Sequence, residues 1–337
     1  MNESTEEKVF LAECQKIYLE KKLPKKTYQI FLGLFNQYKK AAHGIDIQEI
    51  TAIFQTLFSF IIQQTQHPYP FPPYHEKIQS PFDYYNFGLK FLQPLIDFKN
   101  SKVLGLENVK EIVEKLQKKE NVILFANHQT EIDPLIIDLL LQDSYPEFGK
   151  DIIFVAGERV TTDPAAVPFS LGRNLICIYS KKYIDHPVAL KEKKQLHNQQ
   201  SMKRMSELLS EGGKAIYVAP SGGRDRKNLA GVIEIDPFDP QSIEMFFLMA
   251  KRSKKGAHFY PLALATYELL PPPETIQKEL EETRPVNFTA VHLAFGAKIS
   301  MTHFPGSDSL DRHLFRKNRA EYIWNLVKEA YNQLILC

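Results

Sequence analysis

The chain has 337 residues, about twice the ~150 of a common domain, which predicts one large domain with a smaller companion. Lys and Arg number 42 against 40 Asp and Glu, a net charge of +2, and that balance excludes the broad positive field of a non-specific nucleic-acid binder. Hydrophobic residues at 44% and charged residues at 24% exclude disordered, collagenous and coiled-coil chains.

The opening residues, Met1-Asn2-Glu3-Ser4-Thr5-Glu6-Glu7, are acidic and have neither the basic start of a signal peptide nor the Arg/Ser-rich look of a transit peptide. They read as the start of a cytoplasmic protein, or of one whose targeting segment has been removed. Helices follow, roughly 5 to 21, 24 to 43 and 46 to 66. Ser4 with Glu7, and Asp46 with Glu49, have the cap spacing in which each side chain satisfies free amides of the first turn. Pro24 suits a first helical position and Gly44 a left-handed stop. Phe31, Leu34, Phe35 and Tyr38, then Ile53, Phe54, Leu57, Phe58, Ile61 and Ile62, recur at three- and four-residue spacing, as in helices that pack on one another.

From His67 to Pro81 the chain carries Pro68, Pro70, Pro72, Pro73 and Pro81 among Tyr69, Phe71 and Tyr74, a composition that blocks helix and central strand. A boundary is expected here, with a helical bundle domain over 1–75 and a larger domain over 76–337. Ser80-Pro81-Phe82-Asp83 reads as a cap, a first-turn proline and an acid, which predicts a fourth helix to about Asp97.

Beyond Ser101 short apolar runs alternate with amphipathic stretches, the pattern of α/β units. Expected strands are Asn121 to Ala126, Ile152 to Ala156, Leu175 to Tyr179, Lys214 to Ala219, His258 to Ala265 and Val291 to Phe295, with helices between them. The fold class is therefore α/β, a mixed, mostly parallel sheet flanked by helices, behind an N-terminal helical bundle. The run from Pro134 to Leu141 is apolar but broken by Asp138, and it falls short of the ~18 residues of a membrane span, so the chain reads as soluble.

The strand ending at Ala126 runs into Asn127-His128-Gln129-Thr130-Glu131-Ile132-Asp133-Pro134, directly before a helix. In open α/β sheets that edge is where ligands bind, and the helix start adds unpaired amides. Asp133 before Pro134 is a natural helix cap, and a cap beside an incidental loop histidine would look the same. Alternatively, Asp133 holds one imidazole nitrogen of His128 and leaves the other free as a base. No serine or cysteine nucleophile adjoins the pair, which favours direct activation of a substrate hydroxyl over a covalent acyl-enzyme route. His128, Glu131 and Asp133 could also be read as metal ligands, but no second His- or Cys-rich cluster is near, and no metal or cofactor is expected. Cys14, Cys177 and Cys337 are an odd number without CxxC spacing, against a disulfide framework or a structural zinc site. After the strand ending at Ala219, Ser221-Gly222-Gly223 can turn backbone amides inward around an anion, with Arg224 and Arg226 adding forked charge suited to phosphate. A tight surface turn with solvated arginines is the plainer reading of the same residues. The basic runs at Lys191 to Lys194 and Lys251 to Lys255 read as solvated faces, with an acidic carrier or transient contact with anionic lipid as the other use.

Together these blocks resemble the soluble, plastid-type glycerol-3-phosphate 1-O-acyltransferases of the glycerolipid acyltransferase superfamily. The H-x4-D motif is His128 to Asp133. It is followed in order by Ala156-Gly157-Glu158-Arg159-Val160, Pro168-Phe169-Ser170-Leu171-Gly172-Arg173-Asn174 with Tyr179-Ser180-Lys181-Lys182, Ala219-Pro220-Ser221-Gly222-Gly223-Arg224-Asp225-Arg226, and Phe259-Tyr260-Pro261-Leu262-Ala263-Leu264 before Pro271-Pro272-Pro273. The resemblance implies a four-helix bundle at the N-terminus and transfer of an acyl group from acyl-carrier protein, or from coenzyme A, to the sn-1 hydroxyl of glycerol 3-phosphate. It implies His128 as base and Asp133 as its partner, with Arg224, Arg226 and Lys182 on the phosphate. Ser221 and, at second rank, Arg173 join that set. Tyr183 stands where the family commonly has histidine, and brings no charge. The stroma of a plastid becomes the expected place if the chain is a processed form. A lysolipid acceptor, or a non-catalytic module that binds lipid or carrier protein, are the rival readings.

Overall fold

The computed structural model describes residues 4–180, 184–273 and 284–336. Three amphipathic helices come first, α1 (Thr5–Leu19), α2 (Lys25–Ala41) and α3 (Ile47–Gln66). Ser4 caps α1 by accepting from the Glu7 amide, and Asp46 caps α3 by accepting from Gln48 and Glu49, as the spacing predicts. Pro24 sits one position earlier than expected, at the cap of α2. Their shared face is aromatic. Phe10 meets Phe35 edge-on at 5.4 Å between ring centres, and Phe31 lies 4.7 Å from Phe58. Such pairs add about 0.5–1.5 kcal/mol each beyond the area they bury.

The proline-rich segment forms β1 (Tyr74–His75), an edge strand paired antiparallel with a later strand of the sheet. Proline is tolerated there because an edge strand needs fewer backbone donors. The fourth helix, α4 (Tyr84–Leu92), begins later and ends earlier than predicted. Asp83, not Ser80, is its cap, accepting from the Asn86 amide, and Pro94 lies in a tighter 3-10 turn over Gln93–Leu95.

Then come β2 (Lys102–Leu104), α5 (Leu106–Gln117), β3 (Asn121–Ala126), α6 (Asp133–Leu141), α7 (Pro146–Asp151), β4 (Ile153–Ala156), α8 (Glu158–Thr162), α9 (Val167–Ser170), β5 (Asn174–Cys177), α10 (Lys191–Glu211) and β6 (Ala215–Val218). The small hairpin β7 (Arg226–Lys227) and β8 (Ile233–Glu234), α11 (Pro240–Arg252), β9 (Ala257–Ala265), β10 (His292–Phe295) and α12 (Arg312–Ile335) complete the order. Among the described residues the main sheet has eight strands in the order β1-β5-β4-β6-β3-β9-β10-β2. Its centre, β5-β4-β6-β3-β9, is parallel throughout, β1 pairs antiparallel with β5, and β10 pairs antiparallel with β9 but parallel with β2. Every strand expected from the sequence is present. The edge strands β1 and β2 and the hairpin are too short to carry a period.

Alternation along β3 sorts the layers, as a two-residue period requires. Ile123 and Phe125 face α10, α11 and α12 through Met205, Phe246 and Ile323, whereas Val122 and Leu124 face α5, α6 and α7 through Ile112, Ile137 and Phe148. On its other side α6 presents Leu135, Ile136 and Leu139 to the bundle core. The bundle thus stacks on α6, and α6 on the sheet. Lys194, read as part of a solvated run, is instead buried, donating to Glu158 at 3.0 Å and to the His186 carbonyl at 2.8 Å. Cys14 and Cys177 are buried free thiols, and burial pushes both up to about 12. Among the described residues no helix is long and apolar enough to cross a membrane.

Candidate active site

The parallel strands β3, β4, β5 and β6 all end on one edge of the sheet, and His128 lies two residues past the end of β3 on that edge. Its Nδ1 is 2.8 Å from Asp133 Oδ2. Asp133 does not cap α6 as its place before Pro134 suggests. It is the first residue of the helix, and its carboxylate turns back into the loop. There it accepts from the amides of Gln129 at 2.9 Å and Thr130 at 3.2 Å, and from the Thr266 hydroxyl at 2.7 Å. With the imidazole as a further donor, a fully buried carboxylate has the partners that its burial demands. Burial opposes the imidazolium of His128 and is the largest single influence on it, but the hydrogen bond and charge of Asp133, joined by Glu131, outweigh burial and the opposing charge of Arg224. The net effect raises its pKa above the ordinary 6.5. With Nδ1 engaged, Nε2 is the ring nitrogen left to take a proton.

The loop around His128 is fixed from behind. Asn127 donates to the Leu264 carbonyl and accepts from the Leu264 amide, at 2.9 and 2.8 Å. Gln129 accepts from the amides of Thr266 and Tyr267, at 2.7 and 2.9 Å. Both side chains also donate to Asp225 Oδ2, at 2.7 and 3.2 Å. Burial pushes the Asp225 carboxyl up to about 7, against the pull of Asn127, the Asp236 amide, Gln129 and the charge of His128.

Glu131 collects two arginines. Arg224 donates to it at 2.6 Å, and Arg284 holds it with both terminal nitrogens. Burial works to raise its pKa, but Arg284, Arg224 and His128 prevail and lower it to about 2. Arg226, on β7, donates to the Pro273 carbonyl. In the loop between β6 and β7, Gly222 has φ of 67°, in the left-handed region, and its amide donates to the Ala219 carbonyl. That amide closes the turn and so does not join the inward anion nest that the glycines predict. Ser221 donates to the Gly223 carbonyl at 3.1 Å.

A cavity of about 250 Å³ is lined at one end by His128 and Asp133. One wall is the sheet face at Phe154, Leu175 and Tyr217, and the opposite wall is the bundle, through Ile30 and Leu34 of α2 and Phe91 of α4. Arg173 also lines it, buried, paired with Asp138 of α6 and stacked over the Tyr85 ring at 4.9 Å. Burial lowers its pKa to about 10, with Tyr85 pulling the other way. Its charge is matched inside the wall by Asp138.

The structure therefore joins His128 and Asp133 directly, links Arg224 to them through Glu131, keeps Ser221 and Arg226 in the same chain segment as Arg224, and sets Arg173 in the cavity wall. Lys182 and Tyr183 lie outside the described residues. Sequence reasoning missed Thr266 and Arg284 and gave Asp225 no role. Thr266 follows β9, which pairs with β3, so the signal for it was the strand order, which the local sequence pattern does not carry. Asp225 had a visible signal, a carboxylate set between two arginines in a chain segment that leaves a strand's end.

A family model described as Acyltransferase matches residues 102–265, so the class defined by fold and site is an acyl-transferring enzyme. The chain is 35% identical to the chloroplastic glycerol-3-phosphate acyltransferase of Spinacia oleracea, over 93% of this chain and 67% of that protein. It is 35% identical to the enzyme of the same name from Phaseolus vulgaris, over 99% of this chain and 73% of that one. With the Arabidopsis thaliana enzyme the identity is 38%, over 82% of this chain and 60% of that one. The chain thus spans about three fifths to three quarters of these relatives' own length. The crystal structure of the 1-acyl-sn-glycerophosphate acyltransferase PlsC from Thermotoga maritima aligns with 97% of this chain at a TM-score of 0.41 and 14% identity, too distant for a residue-level comparison. This chain belongs to the plastid-type glycerol-3-phosphate acyltransferases of the glycerolipid acyltransferase superfamily.

Proposed function

We propose that the protein transfers a fatty acyl group from acyl-carrier protein to the sn-1 hydroxyl of glycerol 3-phosphate, giving lysophosphatidic acid. The observation that carries the reading is a base in the lining of an apolar cavity, His128 held by Asp133, beside the segment that carries Arg224 and Arg226. Nε2 takes the proton of the acceptor hydroxyl as its oxygen attacks the thioester carbonyl, Asp133 steadies the imidazolium, and the collapsing intermediate expels the thiolate, which receives that proton. Arg224, Arg226 and Lys182 hold the phosphate, and Ser221 and Tyr183 contribute hydrogen bonds at its margin. Arg224 already grips a carboxylate, Glu131, and the acceptor's phosphate competes for the same fork. We place Arg173 in the wall of the acyl cavity, because Asp138 already matches its charge. No metal or cofactor enters this scheme.

The acyl chain lies between the sheet and the bundle, so residues 1–75 and the catalytic domain over 76–337 act on the substrate together. The bundle's part is then a wall for the chain, beside any part in recognising the carrier. Relatives that carry a chloroplastic name make the plastid stroma the favoured setting. The test is product analysis with purified protein, palmitoyl-carrier protein and palmitoyl-coenzyme A as rival donors, and glycerol 3-phosphate and lysophosphatidic acid as rival acceptors. The reading expects 1-acyl product from glycerol 3-phosphate with the carrier-protein donor preferred. Preference for the lysolipid acceptor, or binding without turnover, overturns it.

A further inference from the structure

Asp225 is fully buried, yet among the described residues no cation is paired with it. Its Oδ2 accepts from Asn127 and Gln129, the two neighbours of His128 in the chain, and its Oδ1 accepts from the Asp236 amide at 3.2 Å. Its own amide donates to the His128 carbonyl at 2.7 Å. The residue thus holds the histidine's loop at three consecutive positions, 127, 128 and 129. On either side of it in the chain stand Arg224 and Arg226, which reach out to Glu131 and to the Pro273 carbonyl. A neutral side chain could fill this space at less desolvation cost, because a buried carboxylate held by amides alone is an expensive choice. The His128 charge favours its ionised form.

We propose that Asp225 is the positioning residue that joins the phosphate-holding arginines to His128, so that engagement of the acceptor's phosphate sets the base in place for proton transfer. The proposal rests on the function proposed above. Asp225 touches no substrate; it acts through the backbone and the neighbours of His128. A displacement of the base by about 1 Å costs about 100-fold in rate, so a clamp at this position has leverage on turnover out of proportion to its share of the fold.

The test compares the full-length wild type with Asp225→Asn, Asn127→Ala and the double variant, reading kcat, the KM of each substrate and the melting temperature. Asp225→Asn should lower kcat by about 10- to 100-fold while the acyl donor's KM stays within about twofold. The double variant should lose less than the product of the two single losses, because the bond between the two side chains is counted in both. In a second measurement, glycerol 3-phosphate without donor is added to protein carrying labelled histidine. The His128 ring signal, assigned with His128→Gln, should move in the wild type and stay put in Asp225→Asn, with calorimetry showing that the acceptor still binds. A kcat within threefold of wild type, losses that multiply in the double variant, or a His128 signal that moves equally in both proteins overturns the proposal. If Asp225→Asn does not fold, Asn127→Ala and the wild-type signal decide it, and an unmoved wild-type signal with acceptor bound is fatal. A wild type that neither binds nor acylates glycerol 3-phosphate instead sinks the function proposed above.

Discussion

At its histidine end the cavity is held by hydrogen bonds and charges gathered in short loops; at its bundle end it is held by aromatic and aliphatic side chains that meet one another. Asp133 alone accepts from an imidazole, two amides and a hydroxyl. Phe35, by contrast, is fully buried against Phe10 and Phe54, with the Lys39 ammonium 5.5 Å from its ring centre. The difference teaches where each kind of change should register. Hydrogen-bond geometry is directional, so a polar substitution at the first end alters turnover before stability. Burial is non-directional and proportional to area, so a truncation at the second end alters stability before turnover.

The sharpest way to break that contrast is Asp133→Asn. It keeps the size of the side chain but mismatches at least one of the donors that converge on the carboxylate, and turnover should fall by about 100- to 10,000-fold, as for a histidine whose tautomer is no longer set. Calorimetry and steady-state kinetics on one preparation would show whether the rate is lost without the fold. At the other end, Phe35→Ala should cost about 3–5 kcal/mol of stability in a denaturant titration. Measured well below its lowered melting point, kcat should stay within about threefold of wild type, since Phe35 does not line the cavity. A large loss of kcat in the folded variant would show that the two ends are not separable.

Arg226→Ala has a smaller expected effect and sharpens the polar side of the comparison. A charged hydrogen bond to the acceptor is worth about 1.5–3 kcal/mol, so the KM of glycerol 3-phosphate should rise by about 10- to 100-fold with kcat little changed. Initial rates across a range of acceptor concentrations would settle it. At the bundle wall, Leu34→Trp should shorten the preferred acyl chain. Competition between donors that differ by two carbons should swing by about 30-fold or more toward the shorter one, given about 1–3 kcal/mol per methylene. The smallest effect is one of pH. His128 must be neutral to act, and its pKa is raised by Asp133 and Glu131 against burial and Arg224, so kcat/KM should climb with pH through a midpoint above 6.5. A midpoint at or below 6.5 would show that Asp133 does not govern the imidazole in solution.

Much of this was legible in the sequence, for reasons that mark where reading stops. Ser4 and Asp46 announced their helices because a cap is a contact between residues three apart. Each buried parallel strand showed as a short apolar run, and His128 with Asp133 lay five residues apart in one loop. What escaped depended on partners far along the chain. Tyr74 and His75 became a strand only because β5 offered them an edge, in a segment whose prolines argued for none. Asp133 was legible as the histidine's partner, but the Thr266 hydroxyl that also donates to it comes from 133 residues away. Glu131 showed only as a possible metal ligand, because Arg224 and Arg284 reach it from distant segments. Lys194 read as solvated because its basic neighbours are, while its own charge meets Glu158 across a packed interface.

The most direct measurement is acyl transfer to radiolabelled glycerol 3-phosphate by the wild type beside His128→Ala, with a carrier-protein thioester as donor. Labelled lysophosphatidic acid is expected from the wild type, with a loss of about 100- to 10,000-fold in the variant at an unchanged melting temperature. Transfer by His128→Ala at near the wild-type rate would contradict the role of His128 as base.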